Sequence, residues 1–150
     1  SYEQCLSEDQ ARAKGKEIRR AFIDAIPGLA KLLKAIKDAS KRGFIRAIDG
    51  RKIEVDSSHK ALNYCLQSSA GVIAKRWMVI ANEMIHTHPY FEANQLAFVH
   101  DELQFETTPK YEQDIRFTLE LSAARAGEYY STRIPIAAES KSARTWAEVH

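Results

Sequence analysis

The chain contains only two cysteines among its 150 residues. Cys5 and Cys65 lie far apart and form no Cys-x-x-Cys pair, which argues against a disulfide framework or a thiolate zinc site. Long hydrophobic runs are also missing. The longest, Trp77 to Ala81, is far below the ~20 residues that span a bilayer. With no signal-like start, these absences predict a soluble protein with no membrane partner, in a reducing compartment. Ser1 in place of Met suggests a trimmed chain or a fragment.

Neither sign of charge dominates the sequence. Twenty-two Lys and Arg residues stand against 20 Asp and Glu residues, giving a net charge of +2, so the bulk charge neither demands nor excludes nucleic acid. Any basic surface must therefore be local. The best candidate is a set along the second predicted helix, which either shields an apolar face or binds phosphates: Lys31, Lys34, Lys37, Lys41 and Arg42.

Apolar residues recur every three or four positions between Glu8 and Arg42, which predicts helix. Pro27 must divide this pattern, because proline lacks the amide proton and clashes with the preceding turn. We therefore expect one helix to end near Ile26 and a second to begin with Pro27 in its first turn.

The rest of the sequence alternates hairpins and helices. Residues 43–48 and 51–55 flank Asp49-Gly50, a dipeptide suited to a two-residue hairpin turn. A helical pattern runs from His59 to about Ile85, with Leu62 and Leu66 on its buried seam. Residues 95–106 predict a second hairpin, 109–126 another helix, and 133–137 an edge-like strand. This order predicts an α+β domain in which an antiparallel sheet packs against long helices.

The sharpest candidate site is the tripeptide His100-Asp101-Glu102 at the tip of the second hairpin. A turn can hold a carboxylate at a fixed position, where it binds a hard cation such as Mg²⁺. An ordinary polar hairpin turn is the alternative.

A second candidate site is a polar stripe at the start of the long helix. His59, Asn63 and Gln67 follow each other at four-residue intervals, so they share one side of the first turns. Amide and imidazole donors suit the minor-groove acceptors that all base pairs share, which would test pair geometry without reading sequence. A solvent-exposed stripe without function is the alternative.

Four segments resemble motifs of the family A (DNA polymerase I-like) DNA polymerases and follow one another in the same order as in that family. Their sequences are most similar to those of phage-type members. Val99-His100-Asp101-Glu102-Leu103 resembles motif C of that family. The segment 48–52 is similar to the hairpin before its long palm helix, and Asn63 with Gln67 to the Asn-x-x-x-Gln segment of that helix. The ending from Trp146 to His150 is similar to the family's Trp-x-x-x-His terminus.

The resemblance implies a location for each part of the chain. Residues 1–42 would be helices at the end of the fingers subdomain, and residues 43–150 the C-terminal part of the palm subdomain. Asp101 would be one of two aspartates that bind a pair of catalytic Mg²⁺ ions. His100 would lie near the primer terminus, and Glu102 would be a weaker metal-site contributor or a structural acceptor.

The resemblance also implies partners. His59, Asn63 and Gln67, with Arg51, would bind primer-template DNA, and deoxynucleoside triphosphates would be the substrates. Motif A, with the second aspartate, and motif B, which engages the nucleotide, would both precede residue 1. The chain would therefore supply one side of the two-ion site and be inactive without the rest of the polymerase chain. An accessory processivity factor is left open, and the host cytoplasm is the expected location.

Two other functions compete with this interpretation. A non-catalytic nucleic-acid-binding module would use the lysine set and the polar stripe. A small metal-dependent hydrolase would be centred on His100-Asp101-Glu102.

Overall fold

The structure is a computed structural model that describes residues 7–149. Cys5 and the terminal His150 lie outside this range. In chain order the elements are α1 (Glu8–Ala25), α2 (Leu29–Ser40), β1 (Phe44–Arg46), β2 (Lys52–Glu54), α3 (Ala61–Thr87), β3 (Ala93–Val99), β4 (Glu102–Thr107) and α4 (Glu112–Tyr129), with one-turn 3₁₀ helices at Pro109–Tyr111 and Trp146–Glu148.

The mixture of helices and antiparallel strands confirms the predicted α+β class. In the described range the strands form two separate two-stranded sheets, β1-β2 and β3-β4. The chain divides into two compact units. The first comprises residues 7–45 and 53–63, and the second residues 46–52 and 64–149. None of the described helices combines the length and apolar character that a bilayer-spanning helix needs.

The two helices of the first unit are separated at Pro27, as predicted, but α2 begins later than expected. Ser7 and Gln10 form a reciprocal capping box that starts α1. Gly28 then adopts a left-handed conformation with φ of 86°. This conformation interrupts helical geometry one residue after the proline, so α2 begins at Leu29 and Pro27 lies in the connection.

The apolar face of α1 is open in the described chain. Ile18 is 60% exposed and Phe22 is 61% exposed, and α1 has no buried residue. By contrast α2 buries Ile36 and Ser40. The predicted periodicity is therefore present in both helices, but in α1 its apolar residues are not buried.

The first hairpin has a three-residue loop rather than the predicted two-residue turn. Ala47 N donates to Arg51 O, and Gly50 N donates to Ala47 O. Gly50 has φ of 84°. This is the pattern of a type I turn followed by a left-handed residue, which the Asp-Gly dipeptide accommodates as readily as a tighter turn.

The core of the second unit lies where α3 and α4 pack together. Trp77 Nε1 donates to both Leu119 O and Ser122 Oγ, each at 2.9 Å. Small residues on both helices are at most 1% exposed: Ala81 on α3, and Ser122 and Ala123 on α4. The indole N–H of Trp77 is therefore satisfied inside the protein.

The predicted buried seam of α3 is wrong at its N-terminal end. Leu66 is 56% exposed, whereas Ala81 and Ile85 farther along the helix are buried. The helix carries apolar residues around most of its circumference, so periodicity alone did not select the buried side.

The predicted strand at residues 133–137 does not form. This segment is irregular, because Pro135 has no N–H to donate to a ladder and no described strand pairs with it. Farther along, Ser140 is held on α4. Arg116 Nη2 donates to Ser140 O at 2.9 Å, and Ser140 N donates to Glu120 Oε1 at 3.0 Å.

Candidate active-site hairpin and helix face

The hairpin β3-β4 presents His100 and Asp101 as a two-residue turn. Val99 pairs with Glu102 in the antiparallel register, so Glu102 is the first residue of β4 rather than part of the tip. The strands on either side are held by the ladder. The positions of all three candidate residues therefore follow from strand pairing, as the sequence predicted for the turn.

His100 adopts a backbone conformation that glycine would adopt more cheaply. Its φ is 56°, and Ser131 is the only other non-glycine residue with positive φ in the described range. The left-handed region costs a residue with a side chain on the order of 1 kcal/mol. An imidazole retained at such a turn position points to a use for that side chain.

Asp101 is exposed at the tip. Within residues 7–149 its carboxylate has no hydrogen-bond or ion-pair partner, whereas Glu102 Oε1 accepts a hydrogen bond of 2.9 Å from Gln104 Nε2. A carboxylate with open oxygens is the kind of ligand that Mg²⁺ takes. The residues of the tip therefore fit one side of a magnesium site.

The described residues do not gather a complete metal site. No cluster of three or more His, Cys, Asp or Glu side chains with metal-binding geometry occurs between residues 7 and 149. Asp101 and Glu102 are adjacent in sequence, and further ligands would have to come from elsewhere.

A hydrogen bond connects the base of the β3-β4 hairpin to α3. Asn82 Nδ2 donates to Gln95 Oε1 at 2.5 Å. Next to this contact, the pairing shifts between Gln95 and Ala97, which leaves Leu96 as the extra residue of a β-bulge. A bulge increases local twist and redirects the strand beyond it. No local sequence pattern predicted this bulge.

The polar stripe of α3 lies on the surface. Asn63 and Gln67 are exposed one turn apart on the helix, and His59 is exposed in the turn that precedes it. The helix begins at Ala61, two residues later than predicted, so His59 is not on its first turn. Asn63 and Gln67 share one side of α3, as the four-residue spacing predicted.

Arg51 is engaged by Asp49 in the first hairpin. Its guanidinium approaches Asp49 Oδ2 at 2.6 Å through both Nε and Nη2. Hydrogen bonds from Arg51 lower the pKa of Asp49 below its usual value. The Arg51 side chain nevertheless remains 63% exposed, so it is accessible to a phosphate.

The lysine set of α2 is exposed and mostly uncompensated. Lys41 donates a hydrogen bond of 2.8 Å to Asp38. This hydrogen bond, and to a smaller extent the charges of Lys34 and Lys37, lower the pKa of Asp38. Among residues 7–149, Lys31, Lys34 and Lys37 make no ion pair. The cations of α1 differ, since three of them have carboxylate partners on the same helix: Arg12, Lys14 and Arg20.

Two residues near the hairpin were not among the predicted site residues. Trp146 Nε1 donates to Gln104 Oε1 at 3.1 Å, and Gln104 contacts Glu102 as described above. A glutamine two residues after a candidate metal-binding turn is on the same strand face as the first residue of that strand. That spacing was the available signal for Gln104, whereas the contact with Trp146 spans 42 residues.

The family model and the similar proteins all point to the same family. The family model for DNA polymerase family A matches residues 4–148. The DNA-directed DNA polymerase of Enterobacteria phage T3 is 29% identical over 162 residues, covering 93% of this chain and 23% of that protein. The corresponding protein of Escherichia phage T7 is 29% identical over 160 residues with the same coverage. This chain thus spans about a quarter of the length of these relatives.

A solved structure supports the fold. The POL domain of Pol1 from M. smegmatis, in complex with DNA primer-template and dNTP, matches with a TM-score of 0.67 at 23% identity. The match covers 81% of this chain and 23% of that one. The two chains therefore share a fold over most of the residues described above.

Proposed function

This chain belongs to DNA polymerase family A, and from that premise we propose that it is the C-terminal palm portion of a phage-type, DNA-templated DNA polymerase. Residues 1–42 are assigned to the end of the fingers subdomain and residues 43–150 to the palm. The observation that carries this proposal is the two-residue turn that presents the open Asp101 carboxylate beside Glu102.

The proposed role of the hairpin is to supply one side of a two-ion magnesium site. Asp101 would bind Mg²⁺ directly, and Glu102 would contribute more weakly because Gln104 already occupies one of its oxygens. When bound, such ions activate the primer 3′-hydroxyl and stabilise the leaving pyrophosphate. His100 would orient the primer terminus, which is a use for its side chain in a turn that favours glycine.

The proposed DNA-binding residues are His59, Asn63, Gln67 and Arg51. Asn63 and Gln67 are exposed in the first turns of α3, and His59 is exposed in the turn before it. The amide donors of Asn63 and Gln67 suit minor-groove acceptors. Arg51 would contact a phosphate with the part of its guanidinium that Asp49 leaves exposed. Primer-template DNA and deoxynucleoside triphosphates are the proposed partners.

The rest of the polymerase chain is a further proposed partner. The apolar side chains of Ile18 and Phe22 are more than half exposed on α1. Burying such side chains is favourable by about 1.5–3 kcal/mol each. A longer chain, of the length seen in the phage relatives, would supply the surface that covers them.

A nucleic-acid-binding module without catalysis is the second candidate function. The observation that favours it is the run of Lys31, Lys34 and Lys37 on one side of α2, which have no ion partners within residues 7–149. Like charges three residues apart on a helix repel each other, so a phosphate backbone would relieve an unfavourable arrangement. This surface is compatible with either function.

The experiment that separates the two functions is primer extension. We expect the full-length protein that contains this chain to extend a primed template with Mg²⁺ and deoxynucleotides, and the 150-residue chain to be inactive. Two-metal catalysis needs ligands on both sides of an ion pair ~3.5–4 Å apart. Templated synthesis by the isolated chain would contradict the fragment assignment, and a full-length protein that binds DNA without synthesis would favour the binding module.

A further inference from the structure

The side-chain amide of Gln104 links the last described turn of the chain to the candidate active-site hairpin. Its Oε1 accepts a hydrogen bond of 3.1 Å from Trp146 Nε1. Its Nε2 donates a hydrogen bond of 2.9 Å to Glu102 Oε1. We call this pair of hydrogen bonds the Gln104 bridge.

The chemistry of its three members fixes the direction of the Gln104 bridge. The indole of Trp146 is a donor only, and an ionised Glu102 is an acceptor only. A side-chain amide is both donor and acceptor, and only one of its two orientations satisfies both neighbours at once. The hydrogen bond at either end of the bridge therefore fixes the orientation of the Gln104 amide, and with it the atom that faces the other partner.

The geometry of β4 brings the Gln104 bridge close to the tip. Side chains two residues apart on a strand share one face of the sheet, so Gln104 lies beside Glu102. Glu102 is the first residue of β4, directly after Asp101. A change in the orientation of the Glu102 carboxylate would therefore occur one residue from Asp101, the proposed metal ligand.

The far end of the Gln104 bridge is itself anchored. Glu148 Oε2 accepts hydrogen bonds of 3.0 Å from Arg144 N and Thr145 N, which caps the one-turn helix that carries Trp146. Trp146 is 63% exposed, so burial of its ring accounts for little of its placement. The indole N–H instead donates its hydrogen bond to Gln104 Oε1.

We propose that Gln104 and Trp146 are positioning residues of the polymerase active site. The Gln104 bridge holds the Glu102 carboxylate in one orientation, and the C-terminal turn at Trp146–Glu148 thereby sets the geometry beside Asp101. This inference rests on the proposed polymerase function. It adds to that function a dependence of catalysis on the one-turn helix that carries Trp146.

The test uses variants of the full-length polymerase that break the bridge at different points. Gln104→Leu removes both hydrogen bonds, and Trp146→Phe removes only the indole donor while keeping an aromatic ring. Gln104→Glu keeps an acceptor for Trp146 but replaces the donor to Glu102 with a negative charge. Gln113→Glu is the matched control. Gln113 is exposed on α4, so this substitution introduces the same charge outside the bridge.

The first readout is single-nucleotide incorporation with a matched primer-template. Loss of an outer contact to a metal-site carboxylate typically costs 10- to 100-fold, so we expect kcat to fall about tenfold in Gln104→Leu and Gln104→Glu. Trp146→Phe loses one neutral hydrogen bond and should fall by about two- to tenfold. The affinity for primer-template should stay unchanged in all three, because no proposed DNA contact is removed.

The second readout is independent of activity. In the ¹⁵N-indole spectrum of the full-length protein, the Trp146 resonance is identified by its loss in Trp146→Phe. Gln104→Leu should shift this resonance and speed its exchange with solvent, whereas Gln104→Glu should leave it hydrogen-bonded. Trp77, whose indole bonds to Leu119 O and Ser122 Oγ, is the internal reference.

The outcomes separate this inference from the proposed function. An unaltered protein that does not extend primers would contradict the polymerase assignment itself. An active protein in which Gln104→Leu and Trp146→Phe incorporate nucleotide as fast as Gln113→Glu would overturn the positioning role. An unshifted Trp146 resonance in Gln104→Leu would show that the bridge does not exist in solution.

Discussion

Gly127 in α4 packs directly against Ile136 of the irregular segment that follows the helix. A Cβ atom on Gly127 would lie 2.7 Å from Ile136 Cγ1 and 2.9 Å from Thr132 Oγ1. The Gly127 carbonyl also accepts a hydrogen bond of 3.0 Å from Thr132 N. The chain therefore reverses tightly over the end of α4, and this close approach requires a residue without a side chain.

We expect Gly127→Ala to destabilise the chain despite the better helix propensity of alanine. Replacing glycine inside a helix gains about 1 kcal/mol, but forcing an extra carbon into a packed contact costs about 1–3 kcal/mol. The Ile136 Cβ atom would also lie 3.2 Å from the new carbon, and side-chain rotation cannot move it, so we expect a net loss of up to about 2 kcal/mol in urea unfolding of the chain.

Gly71→Ala is the matched control for this prediction. Gly71 lies within α3, and a Cβ atom there would meet nothing within 4 Å. This substitution should stabilise the chain by about 0.5–1 kcal/mol. Equal effects of the two substitutions would show that Ile136 does not pack on Gly127.

A second prediction concerns the anchor of the C-terminal segment on Glu120. Hydrogen bonds from the Ser140 hydroxyl and backbone N–H lower the pKa of Glu120 below its usual 4.5. A lowered folded-state pKa means that the contribution to stability is present above pH 4.5 and is lost as the pH falls through the lowered value. Protection of the Ser140 N–H from hydrogen exchange should therefore decrease in that acidic range.

Glu120→Gln provides the comparison for the anchor. Above pH 4.5 the unaltered chain should protect the Ser140 N–H better than the variant, because a carboxylate is the stronger acceptor. The difference should vanish once Glu120 is protonated. A difference that persists at the lowest pH would contradict the assigned role of the Glu120 charge.

The sequence predicted the elements of the fold better than their contacts. Helical spacing located α3 and α4, and Asp49-Gly50 located the first hairpin, because these signals are local. The exposure of Leu66 and the irregular path at residues 133–137 depend on what packs against them. Local patterns carry no information about such distant partners, so those two predictions were wrong.

In the candidate site, too, the local features were predicted and the distant contacts were not. The turn at His100 and Asp101 followed from an apolar strand, a charged tip and an alternating strand. The resemblance to the polymerase family named the roles, which remain proposals. The contact between Gln104 and Trp146 could not be predicted, since it joins residues 42 positions apart through an exposed tryptophan.

A third prediction concerns the lysine face of α2. In the full-length protein, replacing Lys31, Lys34 and Lys37 with glutamine should weaken DNA binding and reduce the slope of log affinity against log salt by up to about three. The matched control replaces three cations of α1 that already have carboxylate partners: Arg12, Lys14 and Arg20. Equal slopes for the two triple variants would indicate a solvated face.

A fourth prediction concerns the proposed DNA-binding residue Gln67 on α3. Gln67→Ala in the full-length protein would remove the proposed donor to a minor-groove acceptor that all base pairs share. Affinity should fall by a severalfold factor, about 0.5–1.5 kcal/mol, and equally on A·T-rich and G·C-rich primer termini. Extension from a mismatched terminus should change more than binding, because the proposed contact would sense the displaced acceptors.

Two comparisons check the Gln67 prediction. The salt dependence of binding should not change, since no phosphate contact is removed. Gln113→Ala, an exposed glutamine on α4, is the control for loss of a surface amide. Matched and mismatched extension rates that are unaltered by Gln67→Ala would remove Gln67 from the proposed DNA-binding set.

The central claim is that Asp101 binds catalytic magnesium, and the most direct measurement is primer extension by Asp101→Asn in the full-length protein at saturating nucleotide. The substitution keeps the size of the side chain and removes its charge, so synthesis should be abolished while primer-template affinity stays within a few-fold. Asp9→Asn, at an exposed position of α1, should retain normal synthesis. Near-normal turnover of Asp101→Asn would contradict the account.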